Sequence, residues 1–186
     1  MEIYLIRHTT PLIERGICYG HTDLPLAPSF SEEWEVLRGK IPAEFDAVYT
    51  SPAQRCIQLA ERLKAPHRET RPCLWELNFG DWEMERWDEI SREAIDVWMK
   101  DILNTRVPNG ESYGDLFLRV SAFWNDLQST SFNRVAVVAH AGSIRAIVAL
   151  FLELAAGRSF QLHLDYGKVS LIETSGELKK LKYLNL

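Results

Sequence analysis

Two short apolar segments of this chain each end in a histidine. The first runs from Ile3 to Ile6 and is followed by Arg7 and His8, and the second runs from Val135 to Ala139 and is followed by His140. Short continuous apolar runs are typical of strands buried in a parallel sheet. Packing alone does not explain an imidazole at the end of each of two such strands. The pattern therefore predicts a reaction centre to which both strands contribute.

The rest of the sequence alternates apolar strands with amphipathic helical segments. This alternation predicts a three-layer α/β/α fold, with a mostly parallel central sheet and helices on both faces. A length of 186 residues suffices for one such core, so we expect a single domain over 1–186. Strands are expected at 1–7, 46–50, 68–73, 134–139, 160–165, 169–173 and 177–184. Helices are expected at 32–40, 85–103 and 143–155, with two more beginning near 51 and 112.

Capping residues indicate where three of these helices begin. A hydroxyl at the N-cap and a Glu, Gln or Asp three residues later can satisfy free backbone N–H groups at a helix start. The pairs are Ser29 with Glu32, Ser51 with Gln54, and Ser112 with Asp115. Pro52 suits the first helical position after Ser51, and Gly157 is expected to stop the helix that follows His140.

Composition excludes several classes of protein. The net charge of -5 argues against a nucleic-acid or membrane-surface binder, because both need a broad basic face. Three cysteines, an odd number at low density, favour a reducing compartment. The N-terminus shows no signal-peptide pattern, and no window reaches the ~20 apolar residues of a membrane span. We expect a cytoplasmic protein, and the oligomeric state stays open.

Three predicted parallel strands place polar residues at their carboxyl ends. The first strand leads to Arg7 and His8, the second leads through Ser51 to Arg55, and a later one leads to His140. Ligands of open α/β sheets bind in the crevice outside these ends. Because helical side chains lean toward the helix N-terminus, Arg55 should point back to the same crevice. We therefore expect these groups to form one pocket.

Two arginines beside two expected helix N-termini, at Ser51 and Ser143, suit an anion with several oxygens. Guanidinium groups match the geometry of phosphate, and helix N–H groups add further donors. A histidine beside bound phosphate can attack phosphorus and form a phosphohistidine. Each displacement then needs a proton donor or acceptor, and Glu76, which has apolar neighbours, is the strongest candidate. The residues thus favour phosphoryl transfer through histidine.

Competing chemistries have less support. Cys56 and Arg62 match the Cys-x5-Arg spacing of cysteine phosphatases, but the residues between them form a helical stripe whose amides are committed to the helix. We therefore expect Cys56 to be a core residue. The sequence contains neither a Walker A segment nor a G-x-G-x-x-G fingerprint, so nucleotide-driven and dinucleotide-dependent chemistry is unsupported.

Four ordered motifs resemble those of the histidine phosphatase superfamily, the phosphoglycerate-mutase-like group. The motifs lie at 5–10, 50–55, 76–83 and 138–145. The resemblance implies that His8 is the phosphorylated nucleophile, that His140 hydrogen-bonds the phosphoryl group, and that Glu76 is the acid and base. Arg7 and Arg55, with the backbone at Gly20 and Ala141, are the expected phosphate ligands. The resemblance implies no metal and no cofactor, and a small phosphomonoester as the binding partner.

Further details resemble one branch of this group, the α-ribazole-5′-phosphate phosphatases of cobalamin nucleotide-loop assembly. These are the short length and the segments 16–26, 79–83 and 108–112. The mutases of the group usually carry longer insertions, so the comparison favours hydrolysis. The alternatives are another small phosphomonoester or a phosphohistidine as substrate, a mutase-type transferase, and a phospho-ligand binding module without activity.

Three residues depart from the family pattern. Thr9 and Ala141 stand where glycines usually follow the two histidines, and Glu14 replaces a common asparagine. A carboxylate facing phosphate would be repelled, so we expect Glu14 to point away. Thr9, Arg15 or backbone groups around Gly20 would then replace the missing contact.

Several residues keep two interpretations. Tyr19, Gly20 and Thr22 either only shape their loop or provide a substrate contact through the Gly20 backbone. His21, His67 and His163 suit surface or structural positions. A lid is expected within 74–112. Its aromatic residues either line a pocket for a flat base or form a separate apolar cluster. These residues are Trp75, Phe79, Trp82 and Trp87.

Overall fold

A six-stranded sheet forms the centre of the molecule. The structure, a computed structural model, describes residues 1–176 and 178–186. The strands are β1 (Glu2–Arg7), β2 (Ala47–Thr50), β3 (His67–Thr70), β4 (Arg134–Ala139), β5 (Val169–Ser175) and β6 (Leu178–Tyr183). Their order in the sheet is β3-β2-β4-β1-β5-β6. The first four of these are mutually parallel, and β5 and β6 add an antiparallel edge, so the prediction of a mostly parallel sheet is confirmed.

Helices cover both faces of the sheet. They are α1 (Phe30–Arg38), α2 (Gln54–Ala60), α3 (Arg92–Lys100), α4 (Tyr113–Gln128) and α5 (Ala141–Phe151). Side chains alternate along β1: Ile3 and Leu5 join a core with α4 and α5, whereas Tyr4 and Ile6 join a second core with α1 and α2. This alternation produces the three predicted layers. Within the described residues, no helix is both long enough and apolar enough to cross a membrane.

The register of the parallel strands brings the polar strand ends together. Arg7 pairs with Ala139, and Thr50 pairs with Val138. The His8 N–H donates to the Ala139 carbonyl at 3.0 Å, and the Ser51 N–H donates to the Val138 carbonyl at 3.0 Å. The ladder therefore continues one residue beyond the strands and fixes the backbone on which the site is built.

The predicted start of α2 is wrong. Ser51 does not cap the helix, which begins at Gln54 after an extended Ala53 that makes no side-chain cap. The physical reason is that Ser51 extends β2 in the sheet while its hydroxyl lies 2.7 Å from a ring nitrogen of His140. The tertiary contact therefore outweighs the local capping preference.

Other boundaries also differ from the predictions. In α1, which begins at Phe30, the Ser29 hydroxyl donates to Glu33 and does not cap the helix. The segment 84–87 pairs by backbone hydrogen bonds with 16–18, and α3 begins only at Arg92. Helix α5 begins at Ala141 and ends at Phe151, well before Gly157.

The carboxyl-terminal part contains one wrong prediction. The expected strand at 160–165 is absent from the described residues, and a 3-10 helix covers Ala156–Gln161. The predicted strand at 177–184 is confirmed over Leu178–Tyr183, while Glu177 lies outside the residues that the structure describes.

The capping box of α4 is confirmed, and it generates a stability prediction. The Ser112 hydroxyl accepts from the Asp115 N–H, and the Asp115 carboxylate accepts from the Ser112 N–H. Ser112→Ala should lower the free energy of unfolding by about 1 kcal/mol in urea titrations. Ser121→Ala, inside the same helix, is the control and should change it by less than about 0.5 kcal/mol. Equal losses in the two variants would contradict a capping role.

Candidate active site

The two histidines at the strand ends face each other. The ring centroids of His8 and His140 lie 5.1 Å apart at an interplanar angle of 66°. Only 1% of His8 and none of His140 is exposed. The predicted convergence of the two imidazoles is therefore present, and it is buried.

His8 is held in the form that a nucleophile needs. Its Nδ1 lies 2.7 Å from the Thr9 carbonyl oxygen, which can only accept, so Nδ1 carries the proton. The lone pair of Nε2 is then available. Burial, followed by the charges of Arg55 and Arg7, holds the pKa of His8 well below its usual range. A neutral imidazole at neutral pH is the reactive form.

His140 also has a neutral ring. Burial lowers its pKa well below the usual range, and electrostatic interactions with His8, Arg55 and Arg7 lower it further. Its ring lies parallel to that of Trp75, with centroids 6.1 Å apart and an angle of 4°. These contacts fix the plane of the imidazole beside His8.

Two arginines meet at this pair. Arg55 is fully buried, and its Nη1 and Nη2 donate to the carbonyls of Thr22 at 2.9 Å and Gly20 at 2.6 Å. Arg7 Nη1 donates to the Leu164 carbonyl at 2.6 Å. The Gly20 carbonyl therefore anchors Arg55. Only its N–H is left for a phosphoryl oxygen, and that contact stays a prediction.

Unpartnered polar atoms concentrate in the same place. Among the described residues, four buried side-chain polar atoms lack a hydrogen-bond partner, and three of them belong to Arg7 (Nε), Thr9 (Oγ1) and Arg55 (Nε). A buried polar group without a partner destabilises the fold by about 1–3 kcal/mol. The oxygens of an anion are suitable acceptors for groups of this kind.

Glu76 lies at the start of α5, next to His140. Its carboxylate oxygens accept from the Gly142 N–H at 3.0 and 3.1 Å, and Oε1 also accepts from the Leu77 N–H at 2.9 Å. A Cβ on Gly142 would lie 2.1 Å from Oε1, so only glycine permits this approach. The first turn of α5 therefore fixes the position of the Glu76 carboxyl group. Ala141 lies in the same first turn, and its backbone contact with phosphate stays a prediction.

The two helix N-termini differ from the prediction. In α2 the first helical N–H, that of Gln54, donates to Asp23 at 2.8 Å, and in α5 the Gly142 N–H donates to Glu76. Both termini are thus partly satisfied by carboxylates of the protein. We therefore expect most of the positive charge for a phosphoryl group to come from the arginines.

The sequence did not reveal the group that holds Glu76 in place. Arg119, in α4, donates to the carbonyls of Cys73, Trp75 and Glu76 at 2.7–2.8 Å and pairs with Glu111 at 2.9 Å. An arginine among the apolar residues of an amphipathic helix gives no local signal for such a role. It anchors the backbone from which Glu76 projects.

The sequence also did not reveal that Tyr19 pairs with Tyr166. The hydroxyls of Tyr19 and Tyr166 lie 2.6 Å apart, and the Tyr166 ring lies 5.5 Å from that of His8. The guanidinium carbon of Arg7 lies 3.8 Å from the centre of the Tyr166 ring, and that of Arg55 lies 5.4 Å from the Tyr19 ring. Each predicted phosphate-binding arginine therefore has an aromatic ring beside it.

The aromatic residues of 74–112 divide into two groups. Phe79, Trp82 and Trp87 pack with Trp98 in an apolar cluster, with centroids 5.5–6.5 Å apart. Trp75 instead lies in the site, where it stacks against His140. The separate-cluster interpretation thus holds for three of the four.

The remaining residues that the sequence singled out occupy structural or exposed positions. His21 packs on Trp75 at 4.9 Å and contacts the Glu76 carbonyl, whereas His67 and His163 lie beside Glu69 and Asp165. Cys56 is buried in α2, as expected of a core residue, and Glu14 is exposed to solvent. Whether Glu14 avoids phosphate stays a prediction.

Comparisons with known proteins agree with this geometry. A model of the histidine phosphatase superfamily (branch 1) matches residues 3–186. The adenosylcobalamin/α-ribazole phosphatase of Salmonella typhimurium is 28% identical over 195 residues, which cover 100% of this chain and 96% of that protein. A Hydrogenobacter thermophilus protein named "Putative phosphoserine phosphatase 2" is 27% identical over 192 residues, 99% of this chain and 95% of that protein. The crystal structure of the α-ribazole phosphatase from Shigella flexneri superposes with a TM-score of 0.91 at 26% identity, covering 100% of this chain and 96% of that chain.

The unpartnered donors predict that inorganic phosphate stabilises the fold. At a phosphate concentration of 100 times Kd, linkage gives about 2.7 kcal/mol, or a rise in Tm of roughly 5–10 °C. Arg55→Ala should abolish this rise in a thermal unfolding assay. Arg134→Ala removes an exposed arginine at the other end of β4 and should keep it. A rise that survives Arg55→Ala would place phosphate elsewhere.

Proposed function

The chain belongs to the histidine phosphatase superfamily, and on that premise we propose that it hydrolyses phosphomonoesters through a phosphohistidine at His8, with α-ribazole 5′-phosphate as its substrate. The observation that carries the proposal is the buried pair of neutral histidines beside three unpartnered donors. Those donors match the oxygens of a phosphoryl group, and His8 presents a free lone pair to its phosphorus.

The reaction proceeds in two displacements. In the first, His8 Nε2 bonds to phosphorus, the ester P–O bond breaks, and Glu76 gives its proton to the leaving alcohol. In the second, Glu76 takes a proton from water, the oxygen bonds to phosphorus, and the P–N bond breaks to release phosphate and His8. Arg7 and Arg55, with the backbone at Gly20 and Ala141, bind the phosphoryl oxygens. His140 hydrogen-bonds the same group.

We assign no step of either displacement to a metal ion or a cofactor. Positive charge comes from the two arginines, and proton transfer comes from Glu76, whose backbone is anchored by Arg119. The match over residues 3–186 supports one histidine phosphatase domain spanning the chain. The ester must pass the groups that bury His8, so we keep the proposal of a lid within 74–112, the segment that carries Glu76 and Trp75.

Two lines support α-ribazole 5′-phosphate as the substrate. Relatives named α-ribazole phosphatases match along the whole chain. Aromatic side chains also surround the histidines and offer flat surfaces against which a heterocyclic base can stack. These are Tyr19, His21, Trp75 and Tyr166. The shared motifs bind only the phosphate, so another phosphomonoester such as phosphoserine is the alternative.

His8→Ala should remove turnover while leaving phosphate binding. Loss of a covalent nucleophile should lower the kcat for an aryl phosphate by at least about a thousandfold. His163→Ala is the matched control, because that histidine is exposed and paired with Asp165, and it should keep full activity. Steady-state kinetics of the three proteins make the comparison. Wild-type protein that binds phosphate tightly but hydrolyses no phosphomonoester would instead identify a binding module.

The substrate assignment has its own test. In a kinetic panel of α-ribazole 5′-phosphate, phosphoserine, 3-phosphoglycerate and a phosphohistidine peptide, kcat/KM for the first should be highest by at least about tenfold, roughly 1.4 kcal/mol. Equal kcat/KM values across the panel would defeat the assignment and leave a general phosphatase. Isomerisation of 3-phosphoglycerate would indicate a mutase-type transferase.

A further inference from the structure

We propose that Ser51 is a positioning residue that selects which nitrogen of His140 faces the phosphoryl group. The proposal rests on the phosphatase function above and adds a residue to its machinery. The structure carries it through one contact, in which the Ser51 Oγ lies 2.7 Å from His140 Nε2. This is the hydroxyl that the sequence assigned to a helix cap.

Burial and a backbone hydrogen bond of the sheet hold Ser51 in place. It is fully buried, and its N–H donates to the Val138 carbonyl at 3.0 Å in continuation of the sheet. The neighbouring strand β4 ends at Ala139 and carries His140 directly after it. The serine hydroxyl and the imidazole therefore extend from adjacent strands whose register the backbone ladder sets.

The contacts of His140 define its proton. Nδ1 lies 3.4 Å from Nη2 of Arg55, and a guanidinium can only donate, so Nδ1 is the acceptor. A neutral imidazole has one N–H, which must then be on Nε2 and must donate to the Ser51 hydroxyl. With Nε2 engaged by Ser51, Nδ1 is the nitrogen left to face the arginines and a phosphoryl oxygen.

A hydroxyl suits this position because it can accept or donate. It accepts from Nε2–H in the arrangement seen here. When Nδ1 carries a proton and hydrogen-bonds to a phosphoryl oxygen, the ring is either an imidazolium or the other neutral tautomer. The same hydroxyl then accepts from the Nε2–H of the imidazolium or donates to the unprotonated Nε2 of the neutral ring. A carbonyl or carboxylate in its place could serve only the first two states. Ser51 thus holds one ring orientation through the reaction.

Among the described residues, no other contact of the ring is as short, and the Arg55 contact at 3.4 Å agrees with the same flip. Trp75 lies parallel to the imidazole and fixes its plane, but a 180° flip keeps the plane and exchanges Nδ1 with a carbon. The Cys56 sulfur is 3.6 Å from Nε2 and 4.0 Å from Nδ1, and a thiol is a weak partner. The short bond to Ser51 therefore decides between the two flips.

Three variants separate positioning from packing. Ser51→Ala removes the hydroxyl, and Ser51→Thr keeps one at the same place. Thr50→Val is the matched control, since the adjacent Thr50 is also buried but its hydroxyl donates to the Ser51 carbonyl and contacts neither histidine. With an aryl phosphate, Ser51→Ala should lower kcat about 10- to 100-fold with a smaller change in KM. Ser51→Thr should restore most of it, and Thr50→Val should match the wild type.

Nitrogen NMR of protein with isotope-labelled histidines measures which ring nitrogen of His140 carries a proton, and it does not require turnover. In the free wild-type protein, His140 should show a proton on Nε2 and none on Nδ1, and vanadate should bring a proton to Nδ1. Ser51→Ala should lose this selectivity while Thr50→Val keeps it. A free protein with the proton on Nδ1, or equal losses of kcat in Ser51→Ala and Thr50→Val, would overturn the proposal. Wild-type protein without phosphomonoesterase activity would overturn the proposed function instead, and the NMR spectra would still test the Ser51 contact.

Discussion

The parallel pairing of β1 with β4 is the constraint on which the site depends. Because Arg7 pairs with Ala139, the next residue of each chain segment is a histidine, and the two rings meet edge to face. A slip of one residue in this register would turn every side chain of one strand to the opposite face. Both faces are packed against helices, so such a slip would disrupt two cores at once. The hydrophobic packing of the whole sheet therefore fixes the distance between two catalytic candidates.

Burial and positive charge act together on this pair. Two guanidinium groups and two imidazoles lie in one buried space, and the same burial and charge that lower the histidine pKa values leave both rings neutral. Several donors there have no partner within the described part of the chain. An arrangement of this kind is stabilised by an incoming anion more than by any further packing. The phosphate binding that we propose would therefore satisfy the same groups that destabilise the free protein.

Much of the fold and of the candidate site could be predicted because the sequence patterns that determine them are local. Strand ends, apolar runs and the Ser112 to Asp115 spacing lie within a few residues of the features that they determine, and His8, Arg55 and His140 follow from the strand ends. The missed features depend on contacts between distant segments. Ser51 has the local pattern of a helix cap, yet a contact with a residue 89 positions away determines its role. The same holds for Arg119, which reaches 43 positions back to the Glu76 carbonyl.

The central claim is that both histidines and both arginines act on one phosphoryl group. A crystal structure of the protein with vanadate, which mimics phosphorus in displacement, tests it most directly. The account predicts vanadium bonded to His8 Nε2, with oxygens accepting from Arg7, Arg55 and His140 Nδ1. Vanadate bound at another surface, or bonded to a residue other than His8, would contradict it.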